Sequence, residues 1–197
     1  MTDQETAPLV APVTEPTAAP VTAPKQGRLK KMMGNKHQWG TRPEDFDLVY
    51  PGDGYIPEPH SQPYYRAVDI DAPRPVVWRW LCQLAVAPYS YDWIDNWGRQ
   101  SPRELTPGVE KLEIGQRMII IMELLEFQEN EHMTFKICVG KKFWGHVGST
   151  YRLVELPGDR CRLVNKVVVH RREGFYRSIA RSFFPWAEFV MTRRQLL

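Results

Sequence analysis

Residues 89–97, with the sequence YSYDWIDNW, concentrate side chains that could bind or act on a small molecule. Tyr91 and Trp93 could line an apolar cavity, in which Asp92 would serve as a general base or a hydrogen-bond acceptor. Trp97 lies four residues beyond Trp93 and would share its side of a helix. In the alternative interpretation these rings fill the protein core, where regularly spaced aromatic side chains usually lie, and Asp92 caps a helix or pairs with an arginine.

Two further residues are candidates for catalysis, Arg117 and His146. A guanidinium on the concave side of a sheet could hold a carboxylate or an enolate oxygen through parallel hydrogen bonds. Arg117 begins the segment RMIIIM, so the alternative is an edge position paired with Glu110 or Glu113. His146 follows KKFWG and would look into the mouth of a cavity beside Trp144, unless it is a surface residue of a hairpin.

Several other kinds of chemistry lack their motifs in this sequence. None of the five histidines has a second ligand at metal-binding spacing together with a carboxylate, so no metal site is predicted. The nucleophile motif GxSxG and the glycine-rich phosphate motifs do not occur, and no cofactor is predicted. His132 opens a strand after a turn, where we expect a solvated side chain.

The cysteines and the apolar runs indicate a cytoplasmic protein. Cys82, Cys138 and Cys161 are odd in number and far apart, which is typical of thiols in a reducing compartment and not of a disulfide framework. No stretch approaches 18 consecutive apolar residues, and the first residues lack the basic and apolar regions of a signal peptide.

Charge and proline content divide the chain into a tail and a domain. The net charge is +3, and residues 1–24 carry three acidic and no basic side chains, so the remainder carries +6. Prolines at positions 8, 12, 16, 20 and 24 prevent a helix or a sheet from running through this segment. We therefore predict a disordered Pro/Ala-rich tail with a basic linker at 1–37, followed by one folded domain at 38–197.

The first elements of the domain are predicted from the spacing of apolar residues. Residues 64–71 alternate strictly, which is typical of a strand with Tyr64, Arg66, Val68 and Ile70 on one face. A helix follows Pro75, and its predicted buried stripe comprises Val77, Trp78, Leu81, Cys82, Leu84 and Ala85. Residues 89–97 are predicted to form a second short helix.

The remaining elements place strands before a final helix. Strands are predicted at 116–128, 132–140, 146–156 and 160–170, and the connections between them are short enough to require antiparallel hairpins. Helical spacing returns in residues 175–197, with an interruption at Pro185. This segregation of strands and helices predicts an α+β fold, and a helix laid across a curved sheet tends to leave a hollow that holds a ligand.

Several motifs of this sequence follow one another in the order seen in a known superfamily. A strand ends in IDAP (70–73), a helix carries VWRWLCQL (77–84), the segment YSYDW (89–93) comes next, and the chain closes on FVMTRRQLL (189–197). In these motifs residues 38–197 resemble the START-like (SRPBCC) superfamily, in its polyketide cyclase/dehydrase-like branch. The resemblance implies a helix-grip fold, in which a curved antiparallel sheet wraps around a long C-terminal helix, with two short helices after the first strand.

The predicted function is the binding of a small hydrophobic ligand, of lipid, polyketide or terpenoid type, in a cavity between the sheet and the C-terminal helix. The alternative is a polyketide cyclase- or dehydratase-like enzyme that uses Asp92, Arg117 and His146 as polar groups in that cavity. The residues predicted to contact the ligand are Tyr91, Trp93, Trp97, Met122, Trp144, Trp186 and Val190.

Basic clusters at 25–31 and 171–181 could contact anionic lipid or nucleic acid. No nucleic-acid motif accompanies them, so we predict a solvated surface and no nucleic-acid partner. A third hypothesis is peripheral membrane contact through 25–31 and 183–190, for which we expect little binding.

Overall fold

An antiparallel sheet with one parallel edge organises the described part of the chain, which is residues 37–56, 61–89, 98–139 and 145–170 of a computed structural model. The sheet has seven strands in the order β1-β2-β7-β6-β5-β4-β3. The short edge strand β1 runs parallel to β2, and the other neighbouring strands are antiparallel. The strands are β1 Gln38–Trp39, β2 Ser61–Ile70, β3 Arg117–Met118, β4 Met122–Gln128, β5 His132–Ile137, β6 Val147–Leu156 and β7 Arg160–His170.

The turn residues explain why β6 and β7 form a hairpin. Pro157 presets its own backbone angle, and Gly158 and Asp159 adopt left-handed φ values of 78° and 52°. These residues bring Leu156 opposite Arg160 and begin a ladder that continues to Val147 and Val169. The predicted antiparallel hairpins, and with them the α+β sheet of the fold class, are confirmed for the described residues.

The helix predicted after β2 is shorter than expected. It comprises α1, Arg74–Cys82, with Pro75 in its first turn, and continues as a tighter 3-10 turn over Gln83–Ala85. Val77, Trp78, Leu81, Cys82 and Leu84 are buried as predicted, whereas Ala85 is exposed. The tighter turn advances each residue further around the axis than an α-helix does, which rotates Ala85 out of the stripe.

Each face of the sheet has its own cover. We call the side against which α1 packs the helix face; it carries Val68, Leu163, Leu153, Phe135 and Leu124. Residues paired directly across an antiparallel ladder lie on the same face, and the register joins these side chains into one continuous surface. We call the opposite side the outer face.

Residues 40–56 pack on the outer face. Tyr50 packs against Ala67 and Val164 there. The backbone N–H of Gly52 donates to Thr150 Oγ1 at 3.1 Å. A Cβ atom at Gly52 would lie 2.5 Å from that oxygen, so only glycine allows this approach.

A buried ion-pair group, which we call the Arg162 clasp, fixes this N-terminal segment to the sheet. Arg162 donates to both carboxylate oxygens of Asp45, at 2.8 and 2.6 Å, and to Asp69 Oδ1 at 2.6 Å. It also donates to the backbone oxygen of Gly40 at 2.7 Å, and Arg42 pairs with Asp69 from the exposed side. Arg162 and Asp45 are 4% and 1% exposed, so this pair lies in the protein interior.

Two sequence predictions are wrong in detail. The strand predicted over 116–128 breaks between β3 and β4, because Ile119 and Ile120 adopt left-handed φ values of 47° and 63° and turn the chain. His132, predicted to be solvated, is buried on the outer face, where it lies beside Glu126 and opposite Arg152 in the β5–β6 ladder.

Other predictions fall outside the described residues. They are the tail at 1–37 apart from His37, the short helix at 89–97 apart from Tyr89, and the final helix at 175–197. In the part of the chain that the structure describes, no helix has both the length and the apolar character needed to cross a membrane.

Candidate functional site

One polar residue interrupts the apolar pattern of each of three neighbouring strands on the helix face. In β7, Asn165 stands between Leu163 and Val167, and in β2, Arg66 stands between Tyr64 and Val68. In β6, Ser149 stands between Val147 and Tyr151. We call Arg66, Asn165 and Ser149 the polar belt.

The register of the sheet brings these residues together. Arg66 lies directly opposite Asn165 across the β2–β7 ladder. Ser149 reaches Asn165 diagonally from β6, and its hydroxyl donates to Asn165 Oδ1 at 2.8 Å. The three residues are 0%, 1% and 4% exposed, respectively, and Arg66 Nη1 donates to the backbone oxygen of Tyr65 at 2.8 Å.

The polar belt separates two apolar clusters on the same face. One cluster surrounds α1 and includes Leu163 and Leu153. The other lies at the opposite end of the strands and consists of Tyr64, Ile137, Val147 and Val167. Met122 is half-buried at the sheet's far side and packs against both clusters. On the helix face, a buried polar strip therefore lies between two buried apolar clusters.

Three of the predicted site residues lie within the described ranges. Met122 packs against both apolar clusters, and its role as a ligand contact stays a prediction. Arg117 is exposed on the outer face, opposite Glu123, and its Nη1 donates to the backbone oxygen of Ile120 at 3.3 Å. Glu110, proposed as its partner, instead pairs with Arg79 at 2.8 Å.

His146 is exposed just before β6. Its backbone oxygen accepts a hydrogen bond from the N–H of His170 at 2.9 Å, and the two imidazole rings meet edge to face at 6.0 Å. The structure thus brings neither Arg117 nor His146 to the polar belt, and their catalytic roles stay predictions. The other predicted site residues lie outside the described ranges and also stay predictions; they are Tyr91, Asp92, Trp93, Trp97, Trp144, Trp186 and Val190.

Gln83 is a positioning residue that sequence reasoning missed. It is fully buried, and its Nε2 donates to the backbone oxygen of Glu104 at 2.7 Å and to the Tyr89 hydroxyl at 3.0 Å. Its Oε1 accepts from the backbone N–H of Thr106 at 3.1 Å. One amide therefore anchors both the first residue of YSYDWIDNW and the loop that follows that segment.

Two buried thiols are poor nucleophiles, and the described residues hold no cluster of three or more metal ligands. Burial raises the pKa of Cys82 to about 12 and that of Cys161 to about 11, so both thiols are protonated at neutral pH. In residues 37–56, 61–89, 98–139 and 145–170, no group of three His, Cys, Asp or Glu side chains could hold a metal ion.

The polar belt had a signal in the sequence. Arg66 and Asn165 occupy positions that alternation assigns to faces otherwise made of apolar or aromatic residues. What the sequence could not supply is the strand register, which places these residues and Ser149 side by side.

Comparisons with known proteins gave matches among solved structures alone. No protein-family model matches the sequence, and no curated protein matches it. Solved structures do resemble it. A protein from Mesorhizobium loti is 14% identical, with a TM-score of 0.41 over 68% of this chain and 93% of that one. A protein from Thermobifida fusca is 13% identical, with a TM-score of 0.43 over 68% and 90%.

A norcoclaurine synthase from Thalictrum is 10% identical, with a TM-score of 0.37 over 68% of this chain and 94% of that one. At these identities and scores the likeness carries no inference about activity.

Proposed function

We propose that this chain binds a small hydrophobic molecule, of lipid, polyketide or terpenoid type, on the helix face of its sheet. The observation that carries the proposal is the polar belt between two apolar clusters. Burying three polar side chains in a face that could be apolar throughout costs stability, since each must give up its hydration. A face that contacts a bound molecule, and not only protein core, accounts for that cost.

The apolar cluster beyond the belt is the part of the face that we assign to the body of the ligand. Tyr64, Ile137, Val147 and Val167 lie away from α1, which packs on the other cluster. Met122 borders the region, and a methionine side chain adapts to ligands of different shape. The helix predicted at 175–197 would close this region from the other side.

A cyclase or dehydratase is the alternative function, and the chemistry of the belt residues helps to decide between binding and catalysis. Such chemistry requires acid and base groups that converge on the bound molecule. Arg66 and Asn165 would orient and polarise a carbonyl group, but neither transfers a proton at neutral pH. Among the described residues the belt thus favours binding over catalysis.

Native mass spectrometry of the purified full-length chain, before and after organic extraction, tests the proposal. We expect either a co-purified small molecule or saturable binding of at least one member of a panel of fatty acids, aromatic polyketides and terpenoids. Failure of the whole panel to bind the folded protein would contradict the proposal.

A pair of variants then tests the location. Met122→Lys places a charge at the border of the apolar region and should weaken binding at least about tenfold, because a charge facing a hydrocarbon body costs more than about 1.4 kcal/mol. Val76→Lys is the matched control, since Val76 is 44% exposed on α1. Equal effects of the two substitutions would place the ligand elsewhere.

A further inference from the structure

We propose that His146 and His170 together bind a divalent transition-metal ion, of the class of Ni²⁺, Cu²⁺ and Zn²⁺, on the outer face of the sheet. The observation that carries the inference is the meeting of the two imidazoles where β6 begins and β7 ends. The inference does not rest on the proposed function, which concerns the opposite face.

The strand register brings the two histidines together, although they are far apart in the sequence. Val147 lies directly opposite Val169, and the hydrogen bond from the His170 N–H to the His146 backbone oxygen, at 2.9 Å, continues this register by one position. Both valines pack in the apolar cluster of the helix face, so alternation along the strands directs both histidine side chains to the outer face. Side chains paired in this way have Cβ atoms about 4.5–5.5 Å apart.

The separation of the rings is close to that of two imidazoles on one metal ion. The ring centroids of His146 and His170 lie 6.0 Å apart, with an angle of 77° between the ring planes. Two imidazoles that share an ion at tetrahedral geometry have ring centres about 5 Å apart, because each metal–nitrogen bond is about 2.0–2.1 Å long. A rotation of the exposed His146 side chain can close this difference without movement of the backbone.

The donor atoms indicate the class of ion. Imidazole nitrogen suits Zn²⁺, Cu²⁺ and Ni²⁺, whereas Mg²⁺ prefers oxygen ligands. Within the described part of the chain, no third His, Cys, Asp or Glu completes a three-residue group, so water would occupy the remaining coordination positions. Structural zinc sites have four protein ligands. A site with two imidazoles therefore predicts reversible binding of an ion that exchanges with solvent.

Two other side chains provide controls, because each could bind a metal ion by itself. Cys138 is half-buried, and its thiol donates to the backbone oxygen of Ile121 at 3.2 Å. His132 lies on the same face of the sheet, but it is buried and its imidazole lies beside Glu126. Neither residue belongs to the histidine pair.

Isothermal titration of the full-length chain without an affinity tag tests the inference. We expect saturable binding of one Ni²⁺ ion per chain and no saturable binding of Mg²⁺. His146→Gln and His170→Gln should each weaken Ni²⁺ binding at least about tenfold, because loss of one imidazole removes the gain from simultaneous ligation. The double variant should bind little more weakly than either single variant, since the two residues act as a unit. Cys138→Ser and His132→Gln should bind Ni²⁺ as the wild type does.

A second measurement applies if a histidine variant does not fold, as judged by circular dichroism. Electron paramagnetic resonance of Cu²⁺ bound to the Cys138→Ser protein should show coupling to two imidazole nitrogens. The serine variant is used because a free thiol can reduce Cu²⁺.

Four outcomes would overturn the inference. They are wild-type protein that binds Ni²⁺ no better than Mg²⁺, folded His146 and His170 variants with unchanged affinity, loss of Ni²⁺ binding in Cys138→Ser, and a Cu²⁺ spectrum with fewer than two coupled imidazoles. None of these results would affect the proposed binding of a hydrophobic molecule on the helix face.

Discussion

Buried polar side chains distinguish this sheet at the scale of single residues. Asn165 and Ser149 on the helix face, and His132 on the outer face, lie in surroundings where each hydrogen bond counts for more than it would in water. His132 Nε2 lies 3.6 Å from Glu126 Oε1, and its Nδ1 has no hydrogen-bond partner among the described residues. Burial and the nearby charge of Arg152 lower the pKa of His132, and Glu126 opposes that shift.

Stability should depend on pH through His132. Because the pKa of His132 is lower in the folded than in the unfolded chain, the unfolded state binds an extra proton as pH falls below about 6.5. The free energy of unfolding should therefore decrease from pH 7 to pH 5, by at most about 1.4 kcal/mol per pH unit from this group. In His132→Gln, urea unfolding at pH 7, 6 and 5 should show a smaller decrease.

His146→Gln is the control, because His146 is exposed. An unchanged pH dependence in His132→Gln, with both variants folded, would mean that another group governs acid sensitivity.

At the scale of elements, the two faces of the sheet are covered by different means. On the helix face, α1 contributes apolar side chains such as Trp78 and Leu81. On the outer face, residues 40–56 form no α-helix, and they are fixed by the Arg162 clasp and by the buried ring of Tyr50. The clasp holds this segment on the sheet, whereas apolar packing holds α1.

Breaking the clasp should be costly. Asp45→Asn removes a carboxylate that is 1% exposed and leaves the charge of Arg162 only partly compensated by Asp69. We expect a loss of about 3–5 kcal/mol in the free energy of unfolding, measured by urea denaturation.

The matched control is Glu155→Gln, which breaks the surface pair of Glu155 with Arg74 at 2.9 Å and should cost less than about 1 kcal/mol. Similar losses in the two variants would show that the clasp contributes no more than an exposed ion pair.

For the whole molecule, the boundary of the folded domain determines which residues can be removed without loss of stability. The proline spacing of residues 1–25 predicts that they contribute nothing to the core, whereas residues 37–56 bury Asp45, Tyr50 and Ile56. A chain without residues 1–31 should therefore retain the melting temperature of the full protein. A chain that also lacks residues 32–56 should lose cooperative unfolding, because the outer face of the sheet and the Arg162 side chain would then be open to solvent.

Differential scanning calorimetry of the two truncated chains makes the comparison. A melting temperature lowered by several degrees on removal of residues 1–31 would refute the tail assignment. Cooperative melting without residues 1–56 would refute the role given to the N-terminal segment.

The sequence by itself determined the local elements. Alternation in β2 and β7, the Pro157-Gly158-Asp159 turn and the proline-started helix α1 are each encoded within a few residues, so each could be predicted without knowledge of the rest of the chain. The sheet and the α+β class followed from short turns, which permit only antiparallel neighbours. The wrong predictions at Ala85 and at Ile119–Ile120 also have local causes. The spacing of apolar residues does not reveal a tightened turn or a left-handed backbone conformation.

Only the tertiary structure decided which side chains meet. Arg117 and Arg66 are both arginines in strand segments. Alternation assigns Arg66 to an otherwise apolar face, but only the assembled sheet shows that Arg66 is wholly buried and that Arg117 is exposed. Hydrogen bonds such as Ser149–Asn165 and Asp45–Arg162 join residues 16 and 117 positions apart. Their formation depends on strand register and on the path of the chain around the sheet edge, which are properties of the assembled sheet and not of any one segment.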